Sequence, residues 1–334
     1  MSVAPGASAS DIEAAAAALR AGELVAFPTE TVYGLGADAR NPDALRRVYA
    51  LKGRPAEHPL ILHLGSIVQL SRWAHPLSAD VARLAAAFWP GPLTLVLPRH
   101  PDVSLVLTGG QDSIAVRVPA HPVAQALLAA FGGGIAAPSA NRYGHVSPTT
   151  AEHVREEFPE GLRVLEGGEC EVGLESTILS LLEEPPRILR PGMIGRSTLE
   201  AVLGRPLAGD VPTAGLDQRA LPRVPGSTAA HYAPRTPLYL VAGDRWAMTL
   251  TEALAAGETP AVLARSAAPV GVTVRAWRCA PQDPESYGHA LYALLRELDK
   301  LDASCILVEQ VPDTEPWEAI RDRLTRAARG RGAL

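Results

Sequence analysis

Between an apolar run and two closely spaced glycines, the stretch AFPTETVYGLGAD (residues 26–38) sets out Thr29, Glu30, Thr31 and Tyr33. A turn needs only glycine, proline, asparagine or aspartate, so this segment carries more side-chain chemistry than turning the chain requires. A second stretch, YALKGRPAEHPLILH (49–63), gathers Lys52, Arg54, His58 and His63 where a helix pattern gives way to a strand pattern. Cations at a helix end complement the helix dipole, and His63 alternates as a half-buried strand residue would. Against that plain reading, Lys52 is one of only two lysines, with Lys300, among 31 cationic residues. A compact ammonium beside a guanidinium suits a polyanion such as a triphosphate.

Arg117 stands in the otherwise apolar strand pattern SIAVRVP (113–119). A charge there must meet a partner or an anionic ligand. A structural salt bridge and a clamp on an amino-acid carboxylate both satisfy that need. The stretch AAPSANRYGHVSPTTAEH (136–153) ends a strand and opens a helix, with Ser147 or Thr149 as the cap. One cap accounts for one hydroxyl; Ser139, Asn141 and Ser147 together exceed it. Hydroxyls and N–H groups at strand ends are where open α/β sheets bind ligands. In GLESTILSLLEEPPRILRPG (173–192), Glu175, Ser176 and Thr177 enter an apolar strand and Arg190 leaves another, a pattern a hairpin with a polar end also explains. The glycines lack the spacing of a P-loop or dinucleotide fingerprint, and no serine triad or zinc motif is present.

The elements that must hold these residues alternate. Helix patterns around 11–22, 41–52, 78–90, 121–134 and 148–161 separate strand patterns at 23–28, 60–66, 93–99, 113–119 and 135–141; short β-type runs follow at 162–168, 176–183 and 186–192, then a helix near 196–204. This order predicts an α/β fold whose open twisted sheet is mixed and partly antiparallel. Residues 205–236 are rich in Pro, Gly and Ala and have no period, so they read as a linker long enough to be functional. Beyond it a second strand–helix alternation predicts a small open α/β domain. The expected division is residues 1–204, a linker or lid at 205–236, and 237–334.

The 334 residues are 47% hydrophobic and 20% charged, with a formal net charge of −5. That is a soluble globular profile without a general pull towards nucleic acid. Cys170, Cys279 and Cys305 are far apart and form no metal-ligand spacing. With no basic-then-apolar leader pattern and no membrane-length apolar run, a reduced cytoplasmic protein is expected, and no membrane association.

Taken together, FPTETVYGLGA, KGRP..HPL, WPGPLTLVL, RVPAHP, AAPSAN, SPT, GLESTI and ILRPG, in this order, resemble the family of L-threonylcarbamoyladenylate synthases. The linker motif PG....HYAP and the extra α/β tail resemble its long Sua5-type variant, a YrdC-like domain followed by a small Rossmann-like domain. The resemblance implies a nucleotidyltransferase that makes threonylcarbamoyl-adenylate and pyrophosphate from L-threonine, bicarbonate and ATP, with Mg2+ bound to the nucleotide. The product feeds the N6-threonylcarbamoyl modification of adenosine 37 in tRNA, which implies contact with the transferase complex that uses it. By the same resemblance Thr31, His63, Arg117, the backbone at Ala137 and Ser176 serve L-threonine. Lys52, Arg54, His58, Ser113, Ser139, Ser147 and Arg190 serve ATP, Tyr232 closes over the site from the linker, and Lys52 and Arg54 are the catalytic pair. Two positions depart from the family pattern: His58 stands where asparagine is common, and Ser227–Ala230 replace the basic residues usual before HYAP. The alternative kept beside this reading is a YrdC-like RNA-binding module without the activity.

Overall fold

The computed structural model describes residues 6–209, 221–226 and 228–329. Packing separates the chain into two compact units. The larger comprises Met1–Tyr143, Pro148–Glu171 and Glu175–Ser227, the smaller Gly144–Ser147, Val172–Leu174 and Thr228–Leu334.

In the larger unit the chain runs through α1 (Ala9–Arg20), β1 (Val25–Phe27), β2 (Gly34–Asp38), α2 (Pro42–Lys52), β3 (Ile61–His63), α3 (Ala79–Phe88), β4 (Leu93–Pro98), the short α4 (Leu105–Thr108) and β5 (Ser113–Arg117). It continues through α5 (Pro122–Phe131), β6 (Ile135–Ala136), α6 (Ala151–Glu157), β7 (Arg163–Val164), β8 (Thr177–Ser180), β9 (Arg187–Arg190) and α7 (Arg196–Leu203). The nine strands form one sheet in the order β7-β1-β2-β6-β3-β5-β4-β8-β9. β3 and β5, β4 and β8, and β1 and β7 pair in parallel, and the remaining neighbours are antiparallel. The sheet is therefore mixed, as the alternation implied.

Local signals explain where the helices begin and end. Asn41 caps α2 by accepting from Asp43 N and Ala44 N, Pro42 takes the first turn, and Gly53 stops the helix in the left-handed region at φ 63°. Helix α6 is capped by Thr150, which accepts from His153 N, and not by Ser147 or Thr149.

Period-two alternation sorts the sheet's two faces. Leu62 and Leu64, Leu95 and Leu97, Ile114 and Val116, Leu179 and Ile188 face one way and pack with Leu45 and Val48 of α2, Leu84 of α3 and Leu199 of α7. The opposite face is divided. At one end Val25, Phe27 and Ile135 pack with Ala15 and Leu19 of α1 and Leu127 of α5. Farther along, Ile61, Val96, Ala115 and Ile178 form a separate apolar floor; among the described residues it is joined by Val224 and Leu189 rather than by a helix. Two residues along the same strands, on that same face, stand His63, Ser113, Arg117, Thr94 and Ser176.

The smaller unit is a four-stranded parallel sheet, β10 (Leu238–Val241), β11 (Ala261–Ala264), β12 (Ala276–Cys279) and β13 (Ile306–Glu309), in the order β10-β13-β11-β12. Its helices are α8 (Trp246–Ala255), α9 (Pro284–Asp299) and α10 (Glu318–Ala328). Helix α8 crosses from β10 to β11 and α9 from β12 to β13, while β11 reaches its parallel neighbour β12 through residues 265–275 without a helix. Among the described residues no helix is long and apolar enough to cross a membrane.

The two closely spaced glycines, Gly34 and Gly36, lie in strand β2. Its glycine serves close approach: a Cβ on Gly36 would lie 2.9 Å from Phe27 Cε1, 3.0 Å from Ile135 Cγ2 and 3.1 Å from Val25 O. Overpacking of that kind costs about 1–3 kcal/mol. Gly36→Ala is therefore expected to lower the urea midpoint by a corresponding amount, and an unchanged midpoint would contradict the packing described.

Candidate active site on one sheet face

Arg117 ends β5 and His63 ends β3, directly opposite one another in the parallel pair. The Arg117 guanidinium is 3% exposed. It donates from Nε to Gly91 O at 3.2 Å and from Nη1 to Thr31 Oγ1 at 2.8 Å, and Nη2 lies 2.7 Å from Glu30 Oε1. The salt bridge considered from sequence is thus present, with Glu30 as partner. Arginine carries five N–H donors, so these contacts do not exhaust its capacity to meet a carboxylate.

Thr31 is set by its neighbour. Thr29 spends its hydroxyl proton on Val32 O at 2.6 Å and lies 2.8 Å from the Thr31 hydroxyl. Thr31 therefore donates to Thr29 and accepts from Arg117. Burial first, and then the Arg117 charge, push the His63 pKa down to about 3. Its ring meets Phe27 edge-on at 6.1 Å, and Nδ1 lies 3.3 Å from Ile61 O. With a proton on Nδ1 directed at that carbonyl, Nε2 is an acceptor. The Ala137 N–H is committed to Ile61 O at 2.9 Å, so the group Ala137 can offer a ligand is its carbonyl.

Beside Arg117, Ser176 Oγ lies 2.7 Å from Thr94 Oγ1 and accepts from Arg190 Nη2 at 3.1 Å. Arg190 also donates to Ser176 O from Nε at 3.2 Å and Nη2 at 2.9 Å, and from Nη1 to Pro225 O at 3.0 Å. The described linker residues 221–226 belong to this face. Val224 packs on the apolar floor, and Arg223 exchanges main-chain bonds of 2.7 and 3.1 Å with the Gln111 side chain. Residues 210–220 and 227 of the expected lid lie outside the described residues.

The second cluster gathers at the amino ends of β3 and β5. Lys52 is not the solvated helix-end cation its position implies: it is 3% exposed, and Nζ donates to Ser139 O at 2.6 Å and to Asn141 O. Burial, then the Arg54 charge, hold its pKa well below the ordinary lysine value, with Glu157 pulling the other way. Arg54 donates to His58 O at 3.3 Å and Pro59 O at 2.9 Å, and its guanidinium carbon stands 5.8 Å from the Tyr143 ring centroid. Tyr143 OH lies 3.1 Å from His58 Nδ1, and Tyr143 N–H donates to Lys52 O at 2.8 Å. Ser113 opens β5 at this end and is buried.

Ser147 and Tyr232 fall in the smaller unit. The Ser147 carbonyl accepts from Arg296 Nε at 3.4 Å, as Val146 O does from Nη2. Tyr232 is 1% exposed at φ 61°, stacked on Tyr292 with centroids 5.8 Å apart, with the Arg323 guanidinium carbon 5.1 Å from its ring. Among the described residues no group of three or more His, Cys, Asp and Glu gathers to hold a metal.

Sequence reading passed over Glu30, Thr94 and Tyr143 as site residues. Thr94 alone had a signal, a hydroxyl two residues from Val96 in a strand otherwise made of Leu, Val and Pro.

An open α/β sheet that gathers a buried guanidinium, hydroxyls and a second cationic cluster on one face has the architecture of a small-molecule-binding enzyme. Residues 17–192 match the Sua5/YciO/YrdC domain family, described as telomere recombination, and residues 194–329 match the family described as threonylcarbamoyl-AMP synthase, C-terminal domain. The threonylcarbamoyl-AMP synthase of Bacillus subtilis is 41% identical over 326 residues, covering 96% of this chain and 93% of the relative. That of Pyrococcus abyssi is 38% identical over 331 residues, covering 95% and 94%. The crystal structure of P. abyssi Sua5 complexed with L-threonine is similar with a TM-score of 0.89 at 36% identity, covering 97% of this chain and 96% of that one. The chain belongs to the Sua5-type threonylcarbamoyl-AMP synthase family.

His63 also yields a stability prediction. Its folded pKa of about 3 lies below the unfolded value near 6.5. Below pH 6.5 the unfolded chain therefore binds a proton the folded chain refuses, and stability is lost as pH falls from 6.5 towards 3. This single site contributes up to about 1.4 kcal/mol per pH unit. Denaturant unfolding between pH 4.5 and 7.5 should show a shallower acid decline in His63→Gln than in wild type; identical slopes would contradict it.

Proposed function

We propose that this chain forms L-threonylcarbamoyl-adenylate and pyrophosphate from L-threonine, bicarbonate and ATP, for the N6-threonylcarbamoyl modification of tRNA adenosine 37. The observation that carries the reading is the layout of one sheet face. Strand β5 has Arg117 at one end and Ser113 at the other, about 13 Å apart at the rise of an extended strand. A buried polar cluster of Arg117, Thr31, His63 and Ser176 lies at the first end and a cationic, carbonyl-lined cluster at the second. That arrangement suits a two-part ligand laid along the strand.

In this reading Arg117 takes the threonine carboxylate, and Thr31, His63 Nε2 and the Ala137 carbonyl, all acceptors, face its amine and hydroxyl. Ser176 completes the pocket. The threonine amine adds carbon dioxide from bicarbonate, with loss of water, to give a carbamate. A carbamate oxygen then bonds to the α-phosphorus of ATP while the bond to the bridging oxygen breaks and pyrophosphate leaves. Positioning and charge neutralisation suffice for such a step. Lys52 and Arg54 neutralise charge on the transferring phosphorus and the leaving pyrophosphate, and phosphate charge favours the protonated lysine. His58, Ser113, Ser139, Ser147, Arg190 and Tyr232 complete the nucleotide contacts, and Mg2+ enters with ATP. Residues 205–236 act as the lid, delivery is to the tRNA-modifying transferase, and the setting is the cytoplasm.

Pyrophosphate release should require L-threonine and bicarbonate, and release that ignores both omissions would overturn the reading. Lys52→Ala should lose about 2–4 kcal/mol of transition-state stabilisation, as removal of a key electrostatic donor does; normal turnover would contradict the role. Arg117→Lys, which keeps the charge but loses the fork, should weaken threonine binding at least about tenfold by calorimetry. Unchanged affinity would reduce Arg117 to a structural ion pair.

A further inference from the structure

We infer that Glu30 is the positioning residue for the threonine carboxylate, acting through Arg117; the inference rests on the assignment of Arg117 proposed above. Glu30 is 4% exposed. One of its oxygens lies 2.7 Å from Arg117 Nη2, and the other accepts the Ala120 N–H at 3.0 Å. A buried carboxylate held by a main-chain donor is itself fixed, so it can fix what it touches. Arg117 is gripped from three directions around its plane, by Gly91 O at Nε, Thr31 Oγ1 at Nη1 and Glu30 Oε1 at Nη2. Neutralisation alone would need one contact; three set the rotation of the fork. Glu30 thereby ties the loop after β1 to the segment after β5, holding Thr31 and Arg117 in one frame.

The pair also sets the charge of the pocket. A guanidinium already matched by a carboxylate presents a near-neutral site, suited to a zwitterionic amino acid rather than to any small anion. A long arginine side chain without this brace would sample several orientations, and the two-point match to a carboxylate depends on one of them.

The test measures KM for L-threonine and for ATP, with kcat, in pyrophosphate release by full-length wild type, Glu30→Gln, Arg117→Gln and the double variant, alongside melting temperatures. Threonine dependence of the wild type tests the assigned reaction separately, so its failure is distinguishable from failure here. Glu30→Gln is expected to raise KM for threonine at least about tenfold while KM for ATP stays within about twofold. In the Arg117→Gln background, adding Glu30→Gln should leave KM for threonine unchanged, because the residue through which Glu30 acts is gone. A threonine KM unmoved by Glu30→Gln, or KM values for both substrates rising together, would overturn the inference. So would a further rise in the double variant, which would mean Glu30 touches the substrate itself. Should Glu30→Gln fail to fold, Glu30→Asp, which keeps the charge but shortens the reach to Arg117, takes its place with the same threonine-only rise in KM expected, and an unmoved threonine KM there would overturn the inference.

Discussion

A guanidinium with 3% of its surface exposed, at the end of a strand in the middle of a nine-stranded sheet, must be matched on the spot. Losing one partner of such a pair costs several kcal/mol, because the other is left charged and dry. Glu30 supplies the match to Arg117, and its commitment to Ala120 draws the loop after β1 against the end of β5. Thr29 and Thr31 then have little freedom, since their hydroxyls are shared among themselves, Val32 O and Arg117. One ion pair thus organises the polar end of the site, while burial and then the Arg117 charge keep His63 neutral beside it.

Among the described residues, the middle of the face carrying this pair is packed by Val224 and Leu189 rather than by a helix. On the opposite face the apolar rows of β3, β4 and β5, leucines joined by Ile114 and Val116, are packed by α2 and α3, and that is where the core lies. On the site face, Ile61, Ala115, Val96 and Ile178 make a floor on which Val224 rests. A flat apolar floor between two polar clusters is what a ligand with a small charged head, a planar base and a phosphate bridge requires. The clusters differ in chemistry. Around Arg117 the charges are paired, whereas around Lys52 two cations lie near one another against main-chain carbonyls, and burial and like charge depress the lysine.

Much of the fold could be read from residue order because local signals agreed with tertiary structure. Asn41, Pro42 and Gly53 bound α2 as capping rules predict, and the apolar runs at 93–99 and 113–119 became β4 and β5. Strand β2 escaped because its glycines carry no strand propensity; their reason lies in Phe27 and Ile135, which approach too closely for a Cβ. The burial of Lys52 escaped because its carbonyl partners, Ser139 and Asn141, stand 87 and 89 residues away. Arg117 announced that it needed a partner but not which one, so the ion pair and the ligand clamp looked like alternatives. The geometry lets Arg117 serve as both. Glu30 went unread as a site residue for the same reason, since a carboxylate between two threonines resembles loop solvation until the fold places it against a guanidinium.

On the proposed assignment, the Arg117 end of this sheet face holds the threonine carboxylate while the pair with Glu30 persists. A crystal structure of this protein with L-threonine tests it most directly. The account predicts both carboxylate oxygens within hydrogen-bonding distance of Arg117, with Glu30 still against Nη2 and the amine facing Thr31 or His63. Threonine bound elsewhere, or Arg117 swung away from Glu30 to reach it, would contradict the account.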